Sequence, residues 1–134
     1  MNKEQLKRIF EFLEDNQEHR TPFMWKHKNN IPLTDEDLNI EGDLNLSDIN
    51  ITSLPKGLKV RGYLDLRFSS VTSLPEGLKV GDDLYLHYSK ITSLPEDLKV
   101  GGNLHIGSTL LKKYTNNELR GMIKSGFIKG RIIR

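Results

Sequence analysis

The side chains with chemistry to offer fall at matched positions 20 residues apart. Asp43, Tyr63, Asp83 and Asn103 form one set, and Asn45, Asp65, Tyr85 and His105 a second. Ser47, Arg67, His87 and Gly107 form a third, and Asp48, Phe68, Tyr88 and Ser108 a fourth. At these positions the copies differ, whereas the leucines between them barely change. Constancy inside and variety on one outer face is the pattern of a repeat surface fitted to an irregular target. Tyr and Arg also offer large contact area with few rotors, which favours them as interface anchors. The sequence therefore predicts a protein-binding set: Tyr63, Asp65, Arg67, Phe68, Asp83, Tyr85, His87, Tyr88 and His105. All are expected to point to solvent, with Phe68 and Tyr88 at a strand end where a loop has room to cover them.

His87 and His105 invite a second chemistry. On adjacent copies they are diagonal neighbours, and Asp65 and Asp83 lie nearby. Two imidazoles and two carboxylates are zinc ligands by type, and an Asp–His pair is an acid–base device. Their spacing matches no ligand motif, so no catalytic residue, metal or cofactor is assigned. A metal-dependent enzyme at His87 and His105 remains the lesser alternative to a non-enzymatic binder. Gly101-Gly102 belongs to the repeat and is not a phosphate-binding loop.

Charge suggests a third reading. The formal net charge is +2. Residues 35–110 hold 12 acidic and 7 basic side chains, whereas residues 111–134 hold 7 basic and 1 acidic. A nucleic-acid binder would use that basic tail with the Trp25 loop, where Lys26, His27 and Lys28 follow the indole. The tail lacks aromatic interleaving and any known motif, which leaves this as an alternative. The absence of cysteine removes disulfides, thiolate metal sites and cysteine nucleophiles, and fits a reducing compartment. No apolar run reaches membrane-spanning length and no signal peptide is visible, so a cytoplasmic protein is expected.

The elements that must position these groups follow from one phrase said three times. Ile51-Thr-Ser-Leu-Pro55 recurs as Val71-Thr-Ser-Leu-Pro75 and Ile91-Thr-Ser-Leu-Pro95. Leu58-Lys59-Val60 recurs twice, Leu64-x-Leu66 recurs as Leu84-x-Leu86 and Leu104-x-Ile106, and a weaker copy begins at Leu38. A fixed period of this length marks a solenoid. Leu58, Val60, Gly62, Leu64 and Leu66 alternate with polar residues, which is strand patterning with one buried face. The alternation is expected to bend at the glycine, and Leu-Pro turns the chain. Lys59, Lys79 and Lys99 make a row on the other strand, read as solubilising surface with weak ion pairs.

Both ends read as caps. Leu6, Ile9, Phe10 and Leu13 give residues 2–18 a helical stripe, with Asn2 and Gln5 as a capping box. Pro22 breaks that helix, and Phe23, Met24 and Trp25 form an apolar connector. At the other end, Thr115-Asn-Asn-Glu118 opens a short helix that Gly126 is placed to end. Residues 127–134 read as one strand.

Leu64-Asp-Leu-Arg-Phe-Ser-Ser-Val71-Thr-Ser-Leu-Pro75 resembles the leucine-rich repeat phrase Leu-x-Leu-x-x-Asn-x-Leu-x-x-Leu-Pro, and the copy from Leu84 to Pro95 resembles it equally well. The repeat length and the Leu-Pro ending look like the short bacterial subclass, found in secreted effectors and in small phage or bacterial proteins. Two departures stand out. Ser69 and Ser89, flanked by Ile49 and Thr109, replace the family's asparagine, so the loops must satisfy their backbone another way. No ubiquitin-ligase domain of the effector kind is expected, for want of cysteine and of room.

The fold class expected is an α/β repeat solenoid, leucine-rich-repeat-like, of about four 20-residue rungs with parallel strands in a single domain. Residues 1–36 form the N-terminal helical cap and connector, 37–111 the repeats, and 112–134 a C-terminal helix–strand cap. The function expected is stoichiometric binding of another protein through the exposed strand face, as inhibitor or adaptor. The resemblance to phage proteins implies an inhibitor of a host defence protein. A homodimer through the same face or an end strand is compatible with these features, and no membrane partner is expected.

Overall fold

The computed structural model describes residues 37–49 and 51–134. It is a parallel β-solenoid whose turns repeat every 20 residues. Each turn contributes one very short strand to each of two sheets. β1 (Asn39–Ile40), β3 (Lys59–Val60), β5 (Lys79–Val80), β7 (Lys99–Val100) and β9 (Phe127–Ile128) form the first sheet in that order. β2 (Leu44–Asn45), β4 (Leu64–Asp65), β6 (Leu84–Tyr85), β8 (Leu104–His105) and β10 (Ile132–Ile133) form the second. The register is set residue on equivalent residue: Val60 on Val80 and Val100, Leu64 on Leu84 and Leu104. Any slip would turn the aliphatic columns outward.

The strands are short because a corner interrupts each run on both sides. One corner lies at Gly62 and its equivalents, between the two sheets. The other is a reverse turn at the end of the second strand, closed by Ser69 N–H donating to Leu66 O at 3.2 Å and by Ser89 N–H donating to Leu86 O at 3.0 Å. That turn answers the missing asparagine: the backbone satisfies itself. Thr109 goes further, its hydroxyl donating to Ile106 O at 2.7 Å while accepting from Leu111 N–H.

Inside, each repeat position becomes a column of aliphatic carbon. Leu58, Leu78 and Leu98 stack, as do Leu66, Leu86 and Ile106, all fully buried. Ile51, Val71, Ile91 and Leu111 line the wall behind the Thr-Ser-Leu-Pro turns. A thin axis filled this way needs no large hydrophobic fraction, because each turn buries its ring against its neighbours.

The repeat changes at its C-terminal end. Lys99 pairs with Phe127, where Lys79 pairs with Lys99. The added length is a 3-10 turn, Leu110–Lys113, and a helix α1, Asn116–Met122. The capping box forms as expected, with both the Thr115 and Glu118 bonds present. The helix ends at an Ile123 cap, before Gly126. Gly126 serves a different purpose, since a Cβ there would sit 1.9 Å from Leu98 O. The expected single strand over 127–134 is two strands instead. Gly130 reproduces the corner, so Ile128 continues the Val100 column and Ile132 the Leu104 column. The Arg120 guanidinium ties α1 to this last turn by donating to Ile128 O and Gly130 O. The expected N-terminal helix, its connector and the Trp25 loop lie outside the described residues. Among the described residues, no helix is long and apolar enough to cross a membrane.

Candidate binding surface

The second sheet's outer face carries the predicted set, and parallel register brings its rings together. Tyr63 meets Tyr85 edge-on, with centroids 5.9 Å apart and planes at 83°. Tyr85 in turn stacks on His105 at 4.5 Å and 20°. His87 lies 5.6 Å from His105. Phe68 and Tyr88 form a separate stack at 4.7 Å and 6°. Among the described residues no loop covers that stack: Phe68 is 54% exposed and Tyr88 58% exposed. The ring spacings follow the strand spacing of about 4.8 Å, which is why residues 20 apart become neighbours.

Asp65 is the clear correction. It was expected in solvent, yet it is 2% exposed. Its carboxylate accepts Arg67 N–H at 3.0 Å, as in an Asx turn, and takes the Arg67 guanidinium through Nε and Nη2, the latter at 2.7 Å. The bidentate fork compensates the buried charge. Asp65 and its hydrogen bond in turn raise the pKa of Arg67. Arg67 itself reaches solvent and leans over the Tyr85 ring, 5.6 Å from its centroid. Asn45 makes the equivalent turn one copy earlier, accepting from Ser47 N–H and its hydroxyl.

Asp83 is also committed to the fold. Its Oδ1 accepts Asn103 N–H at 2.8 Å, and its Oδ2 lies 3.0 Å from His105 Nε2. The Tyr85 hydroxyl is 3.5 Å away. The backbone donor, then His105, hold its carboxyl below the usual carboxylate range despite some burial. Burial and the adjacent Asp83 push the Tyr85 phenol up. The same across-turn bond recurs where Tyr63 N–H donates to Asp43 Oδ1 and Arg131 N–H donates to Asn103 Oδ1. Three members of one variable set are therefore corner ties.

The sequence holds a signal for these ties that pattern reading missed. The residue packed over each tie is glycine: Gly62 over Asp43, Gly102 over Asp83 and Gly130 over Asn103. A Cβ at those positions would lie 1.9, 2.2 and 2.2 Å from the accepting oxygens. The matching position over Tyr63, which offers no such oxygen, holds Asp82. Asx and glycine occur together because the Asx oxygen fills the space that a Cβ on the next turn would take.

His87 is half-buried against Gly107, and its Nδ1 is buried with no hydrogen-bond partner. Burial first, then the neighbouring His105 and Arg67, lower its pKa, so the imidazole stays neutral to lower pH. Among the described residues, no three His, Asp or Glu side chains gather to hold a metal ion. Asp83 is turned to His105 and Asp65 to Arg67, so of the four groups considered for zinc only Asp83 and His105 meet.

The basic tail is partly spent within the fold. Arg134 donates to Lys112 O, Tyr114 O and Asn116 Oδ1, and Arg120 to two carbonyls. Lys113 and Lys129 lie over the rings of Tyr114 and Phe127. The lysine row Lys59, Lys79 and Lys99 stands in register on the first sheet, and the ion pair beside it is Lys56–Glu76 at 3.1 Å, highly exposed and correspondingly weak. Comparison of the chain with family models, with curated proteins and with solved structures returned no match, so the geometry of this face carries the functional reading.

Proposed function

We propose that the chain is a non-enzymatic, leucine-rich-repeat-like protein-binding module, an inhibitor or adaptor in the cytoplasm. Its capped solenoid of about four rungs serves as a rigid scaffold for the face formed by Tyr63, Tyr85, His87, His105, Phe68 and Tyr88. The observation that carries this reading is a run of mutually ordered aromatic rings, half-buried from Tyr63 to His105 and exposed at Phe68 and Tyr88, on a face whose Arg67 is paired within it. Arg67 is matched by Asp65, and the Asp83 carboxylate is held by Asn103 N–H and by His105 Nε2. Such a face has rigid apolar anchors and no surplus cation, which suits a protein partner better than a phosphate backbone. Inhibition of a host defence protein by a phage-type repeat is the specific role that the repeat's resemblance suggests.

The test is affinity capture from the producing cell with the wild type beside Tyr63→Ala/Tyr85→Ala. Arg67 is left intact, because an acidic residue there would strand the buried Asp65 carboxylate beside a like charge. A partner held by the wild type and lost by the variant, with its melting temperature nearly kept, is the expected result. A partner held equally by both removes the strand face as the binding site.

A further inference from the structure

The Phe68–Tyr88 stack stands at a position where the backbone disfavours large side chains. Asp48, Phe68, Tyr88 and Ser108 occupy one column, and all four have positive φ, between 54° and 59°. Asparagine, aspartate and glycine are at home there; aromatic residues are not. Non-glycine residues held in this region cluster at ligand-binding sites. Burial does not explain the two rings, since more than half of each faces water. Their mutual stacking offsets part of the strain and leaves the rest without a structural return.

The column also has an opening. The ring planes lie 6° from parallel, one strand spacing apart, so a third ring in register would sit over Ser108. A serine side chain is too short to cover that face of Tyr88. Two residues on in sequence, Leu110 leaves an apolar side chain 61% exposed. No acidic residue occurs from Asn103 to Asn117. The nearby guanidinium of Arg134 is already engaged by three acceptors, so it is not free to meet a phosphate. The opposite end of the stack is flanked by Asp48, a charged neighbour less suited to an uncharged ring.

We infer that the open face of Tyr88 above Ser108 is a socket for one planar aromatic side chain of the protein partner, which becomes the third ring of the stack. The inference rests on the protein-binding reading and adds the partner's chemistry and the point of contact. Ring stacking needs no charge on either side and tolerates tyrosine or tryptophan equally.

The socket is tested on the isotope-labelled full chain by NMR titration with N-acetyl-tryptophanamide, beside N-acetyl-leucinamide and uridine monophosphate. Tryptophanamide is expected to shift the amides of Tyr88, Ser108 and Leu110, with leucinamide about tenfold weaker. Ser108→Tyr fills the socket with the chain's own ring on a backbone that already accepts Tyr88, and is expected to abolish the response. Shifts that are absent, that are spread over the whole surface, or that survive in Ser108→Tyr overturn the inference. A stronger response to uridine monophosphate at the same amides overturns it in favour of a nucleobase. The captured partner separates the two failures. A partner lost with Tyr63→Ala/Tyr85→Ala but retained by Ser108→Tyr sinks the socket and leaves the protein-binding reading intact.

Discussion

Replacing Phe68 and Tyr88 together with asparagine is expected to cost the fold little, because the lost contacts are nearly matched by relief of the backbone. Each ring is about half buried, so each substitution forfeits about 1 kcal/mol of apolar burial. The parallel stack at 4.7 Å is worth about 1 kcal/mol more and is lost once. Against this, left-handed backbone costs an ordinary residue about 1–2 kcal/mol, and asparagine escapes much of it, recovering about 1 kcal/mol at each position. The asparagine pair should therefore lie about 1 kcal/mol below the wild type. The corresponding alanine pair loses the same contacts without the relief and should lie about 3 kcal/mol below. Thermal unfolding followed by circular dichroism resolves the difference, at about 4 °C per kcal/mol for a chain of this size. Equal stability of the two pairs would refute backbone strain at Phe68 and Tyr88. An asparagine pair as damaged as a core truncation would show that the rings hold the fold together.

Other outcomes follow from the corner ties, the core and the titrating groups. Gly102→Ala should destabilise by at least about 1–3 kcal/mol in denaturant unfolding, because its Cβ displaces the Asp83 carboxylate from Asn103 N–H and also presses on the Asp82 backbone, 2.8 Å away. Asp82→Ala, at the matching position over Tyr63, should stay within about 0.5 kcal/mol of the wild type. Leu86→Ala empties a fully buried place in the column between Leu66 and Ile106 and should cost about 2–5 kcal/mol by the same assay. Acid should weaken the fold in two stages. His87 binds its proton at lower pH folded than unfolded, so stability should fall as pH drops below about 6.5, and His87→Gln should flatten that limb. Asp83 is also depressed on folding, so its contribution is present above the ordinary carboxylate range and lost as pH falls through its folded value; Asp83→Asn should remove that lower limb in urea midpoints measured against pH.

Much of the scaffold was legible in the sequence. The period of the Thr-Ser-Leu-Pro phrase marks the solenoid, the alternation from Leu58 to Leu66 marks what points inward, and Gly62 marks the bend. The Thr115–Glu118 capping box was readable because it is a local motif whose partners lie three residues apart. The last turn was not readable as a turn. Phe127 to Ile133 lacks the leucine phrase, and only pairing with β7 and β8 assigns its two halves to different sheets. The candidate site was legible as a face but not in its division of labour. Alternation places Asp65 and Asp83 outward with Tyr63 and Tyr85, and in the structure both carboxylates are taken by neighbours.

What the sequence determines by itself is therefore the period, the composition of each aliphatic column and the side of the strand on which each residue stands. These depend on local alternation and on a repeat that any stacking must respect. What tertiary structure alone decides is which outward residues remain free. That choice is made between turns, where Asp43 reaches Tyr63 N–H, Asp83 reaches Asn103 N–H and Asn103 reaches Arg131 N–H. The glycine one turn on marks each tie in the sequence, but a hydrogen bond to a residue 20 or more positions away leaves no trace in local alternation. It exists only once parallel register has set equivalent residues one strand apart, leaving Phe68 and Tyr88 the most open of the predicted rings.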